Sequence, residues 1–442
     1  MKRLRFMVVA GEPSGDTLAA ELVRALKDEL ARFLSQPTED LQPRHASLAP
    51  EFFGMGGPSL AAEGVELVED MSAYSVFGVT DVLKRYFDFR ALMRHLVRLA
   101  LARQPDVILC VDYSGFNRRL ARAVKDHVRA SEGTFRNWDP KIVQFVSPQV
   151  WASRPGRARQ MARDFDLVLS IFPFEKAWYA ARAPELRVEF VGHPMLERFS
   201  KPRSSGGNEA HSDCGWQIAD CRLKSEPPHV GCYSSDVGAE ECGREVKRNG
   251  RGAAPSVVLL PGSRRKELKR HLPVIVAVAR HLLARQPVTL RLIVPNEKLA
   301  AAARVFTEAV PQIQVQTGGL ADALAQADLA IASSGTVTME CALFGVPTVV
   351  LYKLSWPEFQ IARRIVRVKH IAMPNLLAGE AVFPEFIQGD ATPDNLARAA
   401  LDFLRDNAKR RQVQDTLKRV ISSLGGPGAT RRAAQAIVRL LG

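Results

Sequence analysis

Short apolar segments alternate with longer amphipathic segments along most of the chain. The short segments are solid apolar runs, which is the pattern of parallel strands covered on both faces. In the first part, the predicted strands are Leu4–Ala10, Val107–Val111, Ile142–Val146 and Leu167–Ile171. In the second part, they are Val257–Leu260, Leu290–Val294, Leu329–Ala332 and Thr348–Leu351.

Segments with helical apolar spacing lie between or after these strands. The predicted helices are Thr17–Phe33, a segment that ends near Arg103, Leu268–Ala284, Leu299–Ala309, Val337–Phe344 and Asn395–Asn407. This repeated alternation predicts an α/β protein with two Rossmann-like, doubly wound domains. Because ligands of such sheets bind at the carboxyl ends of the strands, we expect the active site in the inter-domain cleft.

Residues 203–254 break the pattern, being rich in Gly, Ser, Glu and Arg and poor in apolar periodicity. We interpret them as a low-complexity insert or linker between an N-terminal domain, 1–202, and a C-terminal domain, 255–442. Four of the six cysteines lie here, without the close pairs of a structural zinc site. They are Cys214, Cys221, Cys232 and Cys242. A solvated insertion is favoured over a metal cluster, and no metal site is predicted.

The net charge of +14 over 442 residues adds a clue about partners. The insert holds seven Lys/Arg against eight Asp/Glu, so the positive excess lies in the other segments. Such a charge favours a phosphorylated small molecule, an anionic lipid surface or nucleic acid. The sequence has no aromatic platform interleaved with basic residues and no recognised nucleic-acid-binding module, so nucleic acid is not expected.

No apolar run approaches the ~18 residues that a spanning helix needs. The run Phe6–Ala10 is too short for a signal peptide, so we expect a cytoplasmic protein. One segment with interleaved Lys and Arg nevertheless has the composition of a helix lying on an anionic membrane, although a core-packing helix shares the pattern. Its apolar residues are Val76, Phe77, Val79, Val82, Leu83, Tyr86 and Phe87.

Two loops of the first domain carry candidate chemistry. The first strand runs into G-E-P-S-G-D (11–16), where Glu12 and Asp16 suit sugar hydroxyls and a helix N-terminus suits an anion. A helix cap at Ser14 or Asp16 explains the same residues. Asp112 follows Val107–Val111 and is placed to accept a proton from a hydroxyl, with a turn or cap role as the alternative.

The second domain has two comparable loops. Arg264, in L-P-G-S-R (260–264), can grip a diphosphate bidentately, or it is an exposed basic turn. The small residues Ser333–Thr336 let backbone N–H groups approach a phosphate, and Glu340 follows on the next helix, where it could bond a ribose. His193 in G-H-P is equally compatible with an acid–base and a structural role.

Eight motifs in order carry a resemblance to a known family. They are A-G-E-P-S-G-D (10–16), V-D-Y-S-G-F-N (111–117), V-S-P-Q-V-W-A (146–152), P-F-E-K-A (173–177), G-H-P (192–194), L-P-G-S-R (260–264), S-G-T-V-T-M-E (334–340) and P-N-L-L-A-G (374–379). Together they resemble the lipid-A-disaccharide synthases over nearly the whole chain except the insert. Many relatives have Trp where this chain has Ser153.

The resemblance implies a GT-B glycosyltransferase fold whose last helices cross back onto the first domain. It implies an inverting transfer from UDP-2,3-diacylglucosamine to 2,3-diacylglucosamine 1-phosphate (lipid X), giving a β(1→6) disaccharide and UDP. It also implies peripheral association with the anionic cytoplasmic face of the inner membrane, and it favours that interpretation of the 76–87 segment.

The resemblance also suggests individual roles. Asp112 matches the general base, Arg264 and Glu340 match UDP contacts, Gly335 and Thr336 surround the phosphates, and Asn375 lines the donor site. Because no Asp-x-Asp motif follows a strand, neither an obligatory metal nor another cofactor is expected. A homo-oligomer is compatible with the sequence, which does not define the oligomeric state. The alternative is an enzyme like UDP-N-acetylglucosamine 2-epimerase, which needs no membrane-facing segment.

Overall fold

Two parallel sheets organise the part of the chain that the computed structural model describes, residues 3–35, 49–70, 82–131, 138–200 and 254–441. The first sheet contains β1 (Arg5–Ala10), β2 (Glu51–Gly56), β3 (Glu66–Asp70), β4 (Val107–Val111), β5 (Lys141–Phe145), β6 (Leu167–Ser170) and β7 (Val188–Phe190). The second contains β8 (Ser256–Leu260), β9 (Thr289–Val294), β10 (Ile313–Thr317), β11 (Leu329–Ser333), β12 (Thr348–Tyr352) and β13 (Glu385–Ile387).

The strand order is that of doubly wound sheets. It runs β3-β2-β1-β4-β5-β6-β7 in the first sheet and β10-β9-β8-β11-β12-β13 in the second. All eight predicted strands are confirmed, each within one residue at either end. The predicted α/β fold class is therefore confirmed.

Helices connect the strands and cover the sheets. In chain order they are Pro13–Ser35, Pro58–Ala62, Val82–Arg103, Ser114–Ala130, Val150–Ser153, Arg157–Asp164, Pro173–Ala180, Met195–Ser200, Arg265–Leu283, Glu297–Thr307, Leu320–Ala325, Val337–Leu343, Trp356–Ile365, Met373–Ala378, Pro393–Arg405, Asn407–Ser423 and Ala429–Val438. A 3-10 turn spans Gln388–Asp390.

The chain divides into two compact units. The first contains Met1–Arg198, Leu354–Val382 and Asp415–Gly442, and the second contains Phe199–Lys353 and Phe383–Gln414. Within the first unit, the helix Ala429–Val438 packs against the helix Pro13–Ser35. Two late segments of the chain thus belong to the same unit as its beginning.

Buried apolar strands explain why each unit folds around its sheet. Every residue of β4 is buried, and β1 is buried from Phe6 to Ala10. The helix Ser114–Ala130 covers this layer with Phe116, Leu120 and Val124. Burying an aliphatic or aromatic side chain of this size contributes ~1.5–3 kcal/mol, so the central strands anchor the fold.

Candidate active site

In each unit, two sequence-predicted loops meet where the strand order reverses. β1 pairs with β4 in parallel, with Ala10 opposite Val111, so the loops that begin at Gly11 and Asp112 are neighbours. β8 pairs with β11 in the same way, with Leu260 opposite Ala332. Ligands of open α/β sheets bind at such switch points. The geometry therefore places the candidate loops together in pairs, one pair in each unit.

The backbone at Asp112 forms a tight left-handed turn. Asp112 and Tyr113 have φ angles of 49° and 38°. Asn117 Nδ2 and Gln144 Nε2 each donate a hydrogen bond of 3.0 Å to the carbonyl oxygen of Asp112, and both side chains are fully buried. The Asp112 amide donates to the Phe145 carbonyl at 2.9 Å. These bonds fix the residue between two strands of the sheet.

Asp112 lines a cavity of about 420 Å³ within the first unit. The lining residues are Glu12, Phe89, Asp112, Tyr113, Ser114, Gly115, Phe116 and Arg119. Tyr113 stacks on Phe116 with ring centroids 5.4 Å apart, and Phe89 lies against both. The cavity thus combines two carboxylates, one guanidinium and an aromatic wall, which suits an amphiphilic ligand.

Gly11 allows this arrangement sterically. A Cβ atom at Gly11 would lie only 2.2 Å from the Tyr113 ring, so a larger residue would displace the aromatic wall. The glycine of the first loop thereby makes room for the second loop.

Burial raises the pKa of Asp112 above its ordinary value of 3.8, and the negative charge of Glu12 raises it further. The Tyr113 backbone N–H opposes this shift. A carboxylate with a raised pKa is a better proton acceptor, which is the property that a general base requires.

Asp16 has a structural role in the first unit, and its predicted contact with substrate stays a prediction. Its side chain is 2% exposed, and it accepts hydrogen bonds from the backbone amides of Gly57 at 2.7 Å, Ser59 at 2.9 Å and Leu60 at 3.3 Å. Both carboxylate oxygens are used, so Asp16 holds the loop after β2 and the start of the helix Pro58–Ala62. Glu12 and Ser14 remain exposed.

In the second unit, the loop after β8 is organised by an acidic side chain. Glu267 Oε2 accepts hydrogen bonds from the backbone amides of Ser263 at 3.0 Å and Arg264 at 3.3 Å. Gly262 has φ 120°, and a Cβ there would lie 2.4 Å from Glu267 Oε2. The Arg264 side chain itself is exposed. The two amides thus already have a partner, whereas the guanidinium is exposed.

A buried histidine ties this loop to the end of β12. His271 Nδ1 lies 2.7 Å from the Pro261 carbonyl oxygen, and the Lys353 amide donates to His271 Nε2 at 3.1 Å. Since Nε2 accepts, Nδ1 must carry the proton. Burial lowers the pKa of His271, which favours this neutral form.

The loop after β11 is open. Gly335 and Thr336 are exposed, and nothing lies within 4 Å of a Cβ placed on Gly335. Thr338 Oγ1 donates to the Gly335 carbonyl at 2.8 Å, and Glu340 lies one turn further along the helix Val337–Leu343. Asn375, by contrast, is fully buried and belongs to the first unit.

Other predicted features divide into structural residues and residues outside the described ranges. His193 Nδ1 accepts from the Met195 amide at 3.2 Å, and burial lowers its pKa to about 4, which supports the structural interpretation. Val76, Phe77, Val79 and the cysteine-containing insert lie outside the described residues. The helix Val82–Arg103 contains Val82, Leu83, Tyr86 and Phe87, whose side chains are likewise not described.

Within the described ranges, no cluster of three or more His, Cys, Asp or Glu side chains could hold a metal ion. No helix there is long and apolar enough to cross a membrane.

Several residues of the first-unit site were not identified from the sequence. Asn117 and Gln144 support the Asp112 turn, and Arg119, Phe89 and Phe116 line its cavity. Asn117 and the apolar Phe116 lie inside the V-D-Y-S-G-F-N motif (111–117), so the sequence itself indicates that both are near Asp112. Gln144, inside an otherwise apolar strand, was a second signal.

Comparison with known proteins decides the family. The sequence profile of lipid-A-disaccharide synthetase matches residues 6–212 and 243–439. The lipid-A-disaccharide synthase of Myxococcus xanthus is 32% identical over 441 residues, covering 99% of this chain and 97% of that one. The synthase of Alkalilimnicola ehrlichii is 33% identical and covers 99% of both chains. The chain belongs to the lipid-A-disaccharide synthase family.

Solved structures confirm the GT-B glycosyltransferase fold for this family member. The calicheamicin glycosyltransferase CalG4 aligns over 100% of this chain and 99% of its own, with a TM-score of 0.54 and 15% identity. A UDP-GlcNAc 2-epimerase from Neisseria meningitidis bound to UDP-GlcNAc aligns over 99% and 100%, with a TM-score of 0.55 and 9% identity. The epimerase similarity extends to the fold alone, so the alternative function is less supported than the synthase.

Proposed function

We propose that the protein transfers a 2,3-diacylglucosaminyl group from UDP-2,3-diacylglucosamine to the 6-hydroxyl of lipid X. The products are the β(1→6) disaccharide 1-phosphate and UDP. The family profile, which covers both sheets, carries this proposal. The cavity around Asp112 supports it, because it combines a candidate base with an aromatic wall beside which an acylated sugar can lie.

In the proposed mechanism, Asp112 accepts the proton of the 6-hydroxyl while that oxygen attacks C1 of the donor sugar. The new C1–O bond forms as the bond from C1 to the diphosphate oxygen breaks, and UDP leaves with the electron pair. One displacement inverts the configuration at C1. A positioned base typically contributes ~10²–10⁴-fold to such a rate.

We assign the UDP part of the donor to the switch point of the second unit. The exposed Arg264 side chain suits the diphosphate, Gly335 and Thr336 offer an open backbone beside it, and Glu340 suits the ribose hydroxyls. In the first unit, Glu12 and Ser14 are exposed for sugar contacts, while Asn375 is fully buried. A contact between Asn375 and the donor stays a prediction.

Replacement of the candidate base tests this proposal. Asp112→Asn keeps the shape of the side chain and removes its basicity, so we expect disaccharide formation to fall by ~10²–10⁴-fold while UDP binding persists. The assay follows UDP release in detergent, with and without lipid X. Asp126→Asn is the matched control, because among the described residues Asp126 forms ion pairs only with Arg122 and Arg129, at the surface. Normal turnover by Asp112→Asn would contradict the base assignment.

We further propose that the protein works as a peripheral protein on the anionic cytoplasmic face of the inner membrane. The helix Trp356–Ile365 buries none of its side chains. Trp356 is 72% exposed and Ile361 57% exposed, and Arg363 and Arg364 lie beside them. Exposed aromatic and aliphatic residues next to arginines are typical of interfacial helices. The substrates carry acyl chains, so access from a bilayer fits the reaction.

A further inference from the structure

Four arginines interact electrostatically with one another, and one of them, Arg119, lines the Asp112 cavity. Arg118 and Arg119 belong to the helix Ser114–Ala130. Arg157 begins the helix Arg157–Asp164, which packs against it, and Arg154 directly follows the preceding helix Val150–Ser153. Arg122, which also belongs to the helix Ser114–Ala130, forms an ion pair with Asp126. None of the four has a carboxylate oxygen within ion-pair distance among the described residues.

Arg118 is the most unusual of this arginine cluster. Its Nη1 atom is buried and has no hydrogen-bond partner among the described residues, and its Nε reaches only the Ser114 carbonyl at 3.4 Å. Burial, together with the charges of Arg119 and Arg154, lowers the pKa of Arg118. Burial and the charges of Arg118, Arg154 and Arg119 likewise lower the pKa of Arg157. A buried guanidinium nitrogen without a hydrogen-bond partner is costly, and a bound anion would remove that cost.

The position of Arg119 connects the arginine cluster to the proposed chemistry. Arg119 and Asp112 line the same cavity. Arginine binds phosphate bidentately, and several arginines together suit a dianionic phosphate monoester. In a glucosamine 1-phosphate, the phosphate on C1 and the 6-hydroxymethyl group on C5 flank the ring oxygen, so both groups lie along the same edge of the sugar. One ring can therefore reach a phosphate site and a base in the same cavity.

We infer that the arginine cluster binds the 1-phosphate of the acceptor and thereby directs its 6-hydroxyl to Asp112. This inference rests on the proposed function, which it deepens by naming the determinant of acceptor choice. An acceptor without the phosphate would lose these contacts and be used poorly. The alternative ligand of the arginine cluster is the diphosphate of the donor, and the test distinguishes it from the acceptor phosphate.

The test compares lipid X with 2,3-diacylglucosamine, which lacks the phosphate, in variants Arg118→Gln, Arg119→Gln and Arg157→Gln. Hydrogen bonds to charged groups of this kind correspond to about 10- to 100-fold. We expect kcat/KM for lipid X to fall by that factor, kcat/KM for the unphosphorylated acceptor to stay unchanged, and UDP affinity to stay unchanged. Arg122→Gln, from the same helix, should leave all three values unchanged.

Equal losses with both acceptors, or a loss of UDP affinity, would overturn the assignment to the acceptor phosphate. A calorimetric titration with glucosamine 1-phosphate separates this inference from the proposed function. If the wild-type protein binds glucosamine 1-phosphate, Arg119→Gln weakens this binding, and no disaccharide forms, the phosphate site is supported and the proposed reaction is contradicted. If the wild-type protein makes disaccharide and Arg119→Gln keeps the full preference for lipid X over 2,3-diacylglucosamine, the phosphate site is contradicted.

Discussion

At the scale of single residues, the turn at Asp112 shows how a strained backbone is maintained. Left-handed conformations cost a residue with a side chain ~1–2 kcal/mol, and here two consecutive residues adopt them. The buried amides of Asn117 and Gln144 stabilise the turn by binding the carbonyl of Asp112. The backbone that carries the carboxyl group is thereby fixed, which suits the proposed role as a positioned base.

The neighbouring charge of Glu12 gives a prediction about pH. Because Glu12 raises the pKa of Asp112, Glu12→Gln should lower that pKa. A base must be deprotonated to act, so the acidic limb of the pH–rate profile should move to lower pH in the variant. The measurement is kcat/KM for lipid X as a function of pH.

The control is Glu29→Gln, which changes a carboxylate on the helix that follows Glu12 but near its other end. It should leave the limb in place. An unchanged limb in Glu12→Gln would show that Asp112 does not govern the acidic side of the profile.

The role of a residue was predictable from the sequence where the pattern that indicates it lies in neighbouring positions of the chain. Asp112 was identified because it directly follows a solid apolar strand. The structural role of Asp16 was not predictable, because its partners Gly57, Ser59 and Leu60 lie more than 40 positions away in the chain. The arginine cluster was missed for the same reason, since Arg118 and Arg154 approach each other only through the packing of two helices.

At the scale of secondary-structure elements, most central strands were predictable from the sequence and the edge strands were not. β4 is buried along its whole length, so every position is apolar. The edge strands β3 and β10 read E-L-V-E-D and I-Q-V-Q-T and are largely half-buried or exposed. One exposed side permits polar residues, and the solid apolar signal disappears. β2 was missed because glycines interrupt it, although its Gly54 is required by the close approach of Val8.

The helix Pro173–Ala180 carries a buried carboxyl group, that of Glu175, which binds residues that precede the helix in the chain. Glu175 Oε1 accepts from Trp151 Nε1 at 3.0 Å, and Oε2 accepts from the Phe172 amide at 3.3 Å. Burial nevertheless raises the pKa of Glu175 from 4.5 to about 7. The folded protein therefore retains this proton at pH values where the unfolded chain has released it.

This retention predicts a specific dependence of stability on pH. Between about pH 4.5 and 7, the unfolded state binds fewer protons than the folded state at Glu175, so the free energy of unfolding falls as pH rises. The contribution is full below pH 4.5 and lost above about pH 7, and it is on the order of 3 kcal/mol. Glu175→Gln should remove this part of the slope in urea unfolding curves.

The matched control is Glu185→Gln, which alters an exposed carboxylate after the same helix. It should reproduce the wild-type slope. If Glu175→Gln kept that slope as well, Glu175 would be ionised in the folded protein throughout the range.

At the scale of the whole molecule, the exposed helix Trp356–Ile365 gives a test of membrane association. The double variant Trp356→Ser/Ile361→Ser removes its apolar anchors, so binding to vesicles that contain phosphatidylglycerol should decrease severalfold. Binding should also weaken with salt, because each nearby Lys or Arg contributes ~1 kcal/mol at an anionic surface. Co-sedimentation with vesicles measures both effects.

The structure offers a matched control for surface hydrophobicity. Val305 and Phe306 are also exposed, at 66% and 36%, on the helix Glu297–Thr307. Val305→Ser/Phe306→Ser should leave vesicle binding unchanged. Equal losses in both double variants would mean that general surface hydrophobicity, and not the helix Trp356–Ile365, determines the binding.

The packing of the helix Pro13–Ser35 against the helix Ala429–Val438 has a consequence for the synthesis of the protein. During translation, the surface of the first helix that contacts Ala429–Val438 stays uncovered while roughly 400 further residues are added. At about 5–20 residues per second, this period lasts about 20–80 s. During that time the nascent first unit is incomplete, and its uncovered surface is a natural substrate for chaperones that act during translation.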